Sequence, residues 1–171
     1  MLFGMEGRRY TLKEVSEILS LSFADQSEEQ CSRKIRHWTL ADLLEPYGSK
    51  HTGTGKSREY LVEEIRKAAL LMELSRWRLP IPFLTDSFGV MLDSYEDGEE
   101  WQTALDGSEN VFLSLSWNED LVNWQMSVGE PSLTLVTNTT HSVSLSDSYE
   151  MQLPSSAIVL NVTRIFQSLN V

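Results

Sequence analysis

Near Pro80 and Pro82 the hydrophobic period of this chain changes, and no single regular architecture satisfies both sides of that change. Before the two prolines, apolar residues recur three and four apart: Leu12, Val15 and Leu19, then Cys31, Ile35 and Trp38, then Leu61, Ile65, Ala68 and Met72. Beyond them they alternate: Val111, Leu113, Leu115 and Trp117, then Leu133 and Leu135, Val143 and Leu145, and Ile158, Leu160 and Val162. A period near 3.6 lays one stripe of a helix on a core, whereas a period of 2 lays one face of a strand there. The chain is therefore expected to be α+β, with a helical part at about 9–84 and a small antiparallel β part of five to seven strands at about 85–171. Leu79-Pro80-Ile81-Pro82 is the expected junction. Its 171 residues suffice for one ordinary domain or two small ones.

Charge divides at the same place. Residues 1–85 carry 13 Lys and Arg against 12 Asp and Glu, while residues 86–171 carry Arg164 alone against 13 acids. The overall charge of −11 argues against nucleic acid, but only the second half is strongly acidic. A split of this kind points to one part able to meet a polyanion and one that cannot. No run of about 18 apolar residues could cross a bilayer and the first residues lack a signal-peptide core, so no membrane partner and a cytoplasmic location are expected. A single cysteine, Cys31, can form no internal disulfide.

Local signals define the first half further. Thr11 with Glu14 and Ser27 with Gln30 are capping boxes, which predict helices from Thr11 to about Ser20 and from about Glu28 to Leu40. Arg33, Lys34, Arg36 and His37 stud the second of these with donors. The segment from Gly48 to Tyr60 is rich in Gly, Ser and Thr and reads as a tight turn or hairpin carrying Lys50, His51, Lys56 and Arg58. It is not a nucleotide loop, because the first glycine of that motif would fall on Lys50. A long helix is expected from about Leu61 to Arg78, with a second apolar stripe at Leu70, Leu74 and Trp77. Past the prolines, Asp106-Gly107, Asn118-Glu119-Asp120, Gly129-Glu130-Pro131 and Asn138-Thr139 read as turns, Glu96–Glu100 as a solvated loop, and Arg164 to Leu169 as a brief helix.

Catalysis finds little support. The three His lie in different segments without metal-ligand spacing, Cys31 sits on an apolar helix face, and no nucleophile–base pattern accompanies the carboxylates. No enzymatic activity, cofactor or metal is expected.

Taken in order, these pieces resemble the MerR-like family of bacterial regulators over about residues 9–84. Tyr10-Thr11-Leu12-Lys13-Glu14-Val15 is similar to that family's opening helix. Arg33-Lys34-Ile35-Arg36-His37-Trp38 is similar to its recognition helix, Leu43-Leu44-Glu45-Pro46 to the Leu-Leu-x-Pro that follows, and Arg58-Glu59-Tyr60 to the Arg-x-Tyr at the end of its wing. The resemblance implies a winged helix-turn-helix that binds double-stranded DNA as a transcription regulator. Arg33, Lys34, Arg36 and His37 would reach base edges or phosphates, and Lys50, His51, Lys56 and Arg58 on the wing would meet phosphates. Three features depart from the family: extra residues around Ser22–Gln30, Asp42 in place of a glycine, and no long dimerising helix after the DNA-binding part. A homodimer is expected, with the acidic β part dimerising, sensing or binding a protein partner. The alternatives are an interaction regulator of anti-activator or antitoxin type acting through that acidic part, and an architectural factor like those of phage excision.

Overall fold

The computed structural model describes residues 7–48, 57–95, 98–117, 122–135, 141–144 and 156–171. The fold is mixed α+β: among the described residues there are six helices and small antiparallel sheets, with one three-stranded sheet in the C-terminal half. The chain forms two compact units, Met1–Thr85 with Ser168–Val171, and Asp86–Gln167.

The first unit opens with β1 (Tyr10–Thr11), which runs directly into α1 (Leu12–Ser22). The Thr11 hydroxyl accepts from the Glu14 N–H at 3.3 Å and the Glu14 carboxylate accepts from the Thr11 N–H at 2.7 Å, so two amide donors that a helix start leaves open are satisfied. Ser27 and Gln30 do the same for α2 (Glu28–Leu40), whose limits agree with those read from the capping box and the periodicity. At its other end Asp42 adopts φ 58°, the Asp42 N–H bonds the Thr39 carbonyl at 3.3 Å, and the Leu43 N–H bonds the Trp38 carbonyl at 2.9 Å. That pair of bonds is a Schellman cap, in which glycine is usual and Asp is better tolerated than most side chains.

β2 (Glu59–Tyr60) pairs antiparallel with β1, Tyr10 opposite Tyr60, and leads into α3 (Val62–Arg76). Val15 and Leu19 of α1, Cys31, Ile35 and Trp38 of α2, and Ile65, Ala68 and Met72 of α3 are buried, as the three-and-four spacing predicts. Leu70 and Leu74 are buried as well, but Trp77 is 57% exposed and caps α3 instead of extending its stripe.

The expected junction is a helix start. α4 (Ile81–Tyr95) begins inside Leu79–Pro82, and the division between the units falls at Thr85, within that helix. Proline ends a helix when it arrives in the interior, but in a first turn its missing N–H breaks no bond. Pro82 occupies such a turn.

In the second unit, α5 (Glu99–Asp106) takes in the last two residues of the expected Glu96–Glu100 loop; Glu99 and Glu100 suit the positive end of its dipole. Gly107, read as a turn between strands, ends α5 in the left-handed region at φ 68°. β3 (Val111–Trp117) is central, flanked by β4 (Val122–Val128) and β7 (Ser156–Asn161), both antiparallel, while β5 (Ser132–Leu135) pairs with β6 (His141–Ser144). Leu113 stands opposite Met126 and Leu160, so the alternating residues share one face. Phe88 of α4 lies 5.9 Å from Trp124 of β4. Asn161 then accepts from the Arg164 N–H at 2.8 Å and caps α6 (Val162–Gln167), which removes Val162 from the strand it was read into. Trp101 of α5 meets Phe166 of α6 edge-on at 4.9 Å. The expected turns at Asn118–Asp120 and Asn138–Thr139 and the position Leu145 lie outside the described residues.

Candidate nucleic-acid interface

α2 carries two faces of opposite chemistry. Inward, Cys31, Ile35 and Trp38 are at most 3% exposed. Beside them the Thr39 hydroxyl donates to the Ile35 carbonyl at 2.8 Å and so accepts from the Tyr60 hydroxyl, 2.9 Å away. Satisfied on both sides, this buried pair ties α2 to β2. Outward, Arg33, Arg36 and His37 are exposed.

Lys34 belongs to neither group. Its Nζ lies 3.0 Å from Ser75 Oγ and 3.4 Å from Met72 Sδ, both on α3, and partial burial holds its ammonium pKa below the usual lysine value. The four donors on either side of the buried Ile35 span more of the helix than its outer face, and Lys34 falls on the flank where α3 packs. The structure therefore separates it from the donors with which the sequence grouped it.

Arg33 and Arg36 line a cleft of about 660 Å³ together with Lys13 and Ser16 of α1 and with Glu28 and Glu29 at the start of α2. Lys13, exposed at the opening turn of α1, was missed by sequence reasoning because it stands apart from the basic run. Among the described residues, Lys13, Arg33, Arg36 and His37 make no ion pair. The Arg58 carbonyl accepts from the Leu12 N–H at 3.1 Å, which fixes the foot of the Gly-rich segment to α1. Lys50, His51 and Lys56 lie outside the described residues.

Two further arginines were overlooked, although the sequence sets them side by side before Tyr10. Arg9 sits 4.0 Å over the Tyr47 ring and donates to the Tyr47 hydroxyl at 3.1 Å; Arg8 sits 4.6 Å over Tyr10. Each guanidinium also pairs with a carboxylate, Arg8 with Glu14 at 3.9 Å and Arg9 with Glu59 at 4.0 Å.

The frame under these side chains is braced by charge. Arg76, at the end of α3, reaches Asp25 in the turn between α1 and α2 at 2.7 Å and Glu73 at 3.0 Å. The Arg76 hydrogen bond holds the Asp25 carboxyl below its ordinary pKa. The residues that lengthen this turn thus supply the contact that fastens it to α3. The Glu64 carboxylate accepts from the Glu45 N–H at 2.7 Å and pairs with Lys67 at 3.0 Å, which anchors the segment after α2.

Elsewhere the chemistry is sparse. Cys31 is buried and burial raises its thiol pKa, a setting that disfavours the reactive thiolate. Among the described residues no three His, Cys, Asp or Glu are grouped to hold a metal, and no helix is long and apolar enough to cross a membrane. No protein-family model and no curated protein matches the chain.

Proposed function

We propose that the first unit is a MerR-like winged helix-turn-helix that binds double-stranded DNA in a sequence-specific manner and regulates transcription. The observation that carries this reading is the outer face of α2. Arg33 and Arg36 stand exposed and without ion pairs among the described residues, beside Lys13, on the side opposite the buried Ile35 and Trp38. Folding makes no demand on that face, so its donors are free for a ligand. A helix about 10–12 Å across fits a major groove about 12 Å wide, and guanidinium groups match the paired O6 and N7 acceptors of guanine.

In this reading α2 enters the groove, with Arg33 and Arg36 on base edges and His37 on a base or phosphate. Lys13, Arg58 and the Gly-rich segment bearing Lys50, His51 and Lys56 follow the backbone. Lys34 is a packing residue. The acidic unit takes no part in the DNA contact, since 13 carboxylates against Arg164 oppose phosphate. Two copies bind together, because one small module offers few contacts and pairing doubles them.

Selection of bound fragments from a genomic library, followed by gel shifts across a salt titration, tests the reading. A defined site with salt-dependent affinity is expected; no preference for any fragment overturns it. Light scattering tests the dimer, and a strict monomer at micromolar concentration contradicts it.

A further inference from the structure

Glu29, Ser32, Arg33 and Arg36 are spaced i, i+3, i+4 and i+7, which places them on one stripe of α2, and all four line the same cleft. The stripe is not uniformly basic. It begins with an exposed carboxylate one turn before its first guanidinium, and among the described residues Glu29 has no ion-pair partner. Arg33, four residues on and ideally spaced for an intrahelical pair, does not neutralise it.

The usual role of a helix start facing DNA is to hold a phosphate on its open amides. Here the Ser27 hydroxyl takes the Gln30 N–H, the Gln30 side chain takes the Ser27 N–H, and Glu28 and Glu29 carry negative charge into the first turn. That turn repels phosphate. A carboxylate lowered into the major groove needs a donor, and the base edges offer two: the amino groups of cytosine and adenine. On adenine the amino group adjoins the N7 acceptor, which repels the second carboxylate oxygen, whereas on cytosine it adjoins a carbon-bound hydrogen. Arg33 lies about 6 Å further along the helix axis, a separation of about two base-pair steps.

We propose that Glu29 is a specificity-determining residue of the DNA interface and accepts a hydrogen bond from the amino group of a cytosine, next to the guanine contacts of Arg33. The inference rests on the DNA-binding reading of α2. The stripe then reads bases of opposite character in sequence, an acceptor followed by two donors, and its N-terminal acid selects a base while weakening attachment to DNA in general.

The test uses the full chain and its selected site, with every position of that site changed in turn to each other base. The wild-type protein should prefer cytosine at one position by on the order of tenfold. Glu29→Ala should abolish that preference and bind random DNA more tightly, because a negative charge has been removed. Glu29→Gln should move the preference at the same position from cytosine to adenine, since a carboxamide offers the donor and acceptor that adenine's N7 and amino group require. A role in bulk charge alone would make the two variants tighten on every sequence alike with unchanged preferences, and that result overturns the inference while leaving DNA binding intact. If the wild-type protein selects no site at all, the underlying DNA reading has failed instead. Circular dichroism identifies a variant that fails to fold, and Glu29→Asp, which keeps the carboxylate, should retain cytosine at that position if folding intolerance limits the other two.

Discussion

The two units of this chain differ in charge: the first nearly balances its cations and carboxylates, and the second is strongly acidic. The second contains a three-stranded sheet and the Phe88–Trp124 and Trp101–Phe166 ring contacts, and its sequence holds 13 carboxylates against a single Arg164. The first holds 13 Lys and Arg and sets Arg33, Arg36 and His37 on the outer face of one helix. Carboxylates alone keep a surface solvated, and at least as well as cations do. A concentration on α2 of cations that make no ion pair among the described residues is therefore not explained by solubility, and the contrast between the units supports the proposed role of that face as a binding surface.

The core residues give the largest effects with which to break this contrast. Trp38→Ala and Trp101→Ala each remove a buried indole, and each should cost about 3–5 kcal/mol of stability in urea denaturation. They should part in function. At protein concentrations where both variants remain folded, Trp38→Ala weakens DNA binding by disturbing the helix that carries Arg33, while Trp101→Ala leaves affinity unchanged. Equal loss of affinity in both would mean that the acidic unit shares the DNA contact.

Next in size is the separation of Lys34 from its neighbours. Lys34→Met should leave affinity for the selected site unchanged and remove a pH dependence of stability. Because burial depresses the ammonium pKa in the folded state, the unfolded chain binds more protons between that lowered value and the ordinary one near 10.4. Stability gained there is complete above the unfolded pKa and lost as pH falls through the folded one, so the wild-type curve rises on the alkaline side and the variant curve does not. Asp25 acts in acid: Arg76 lowers its folded pKa, so its contribution is present above about 3.9 and disappears as pH falls through the lower folded value. Asp25→Asn should flatten that decline, measured by thermal unfolding between neutral pH and acid. Smallest is Lys13→Ala, which should weaken binding to all sequences alike and lower the salt slope by about one unit, as loss of one phosphate contact requires.

What could be read from the sequence was what neighbours along the chain decide. Ser27 with Gln30 and the left-handed Asp42 bound α2 at both ends because caps are local chemistry. The alternation at Leu113 and Leu115 marked β3 for the same reason. Lys34 was misplaced because periodicity fixes an angle on α2 but not where α3 lies against it. α4 was missed because Pro82 obeys one rule in a helix interior and the opposite rule in a first turn, and α5 because an acidic run followed by Asp-Gly has the composition of a loop as well as that of a short capped helix. Lys13 stands outside the basic run, and only the packing of α1 beside α2 brings it to the cleft that Arg33 and Arg36 line.

The central claim is that the outer stripe of α2 reads DNA, and the most direct measurement is a salt titration of binding to the selected site by the wild-type protein, Arg33→Ala, Arg36→Ala and Lys34→Ala. Each arginine variant should fold normally and lose on the order of 1–3 kcal/mol for the selected site, with relaxed preference at one position, while Lys34→Ala binds like wild type. Arginine variants that fold and bind the site as tightly as wild type at every salt concentration would contradict the claim.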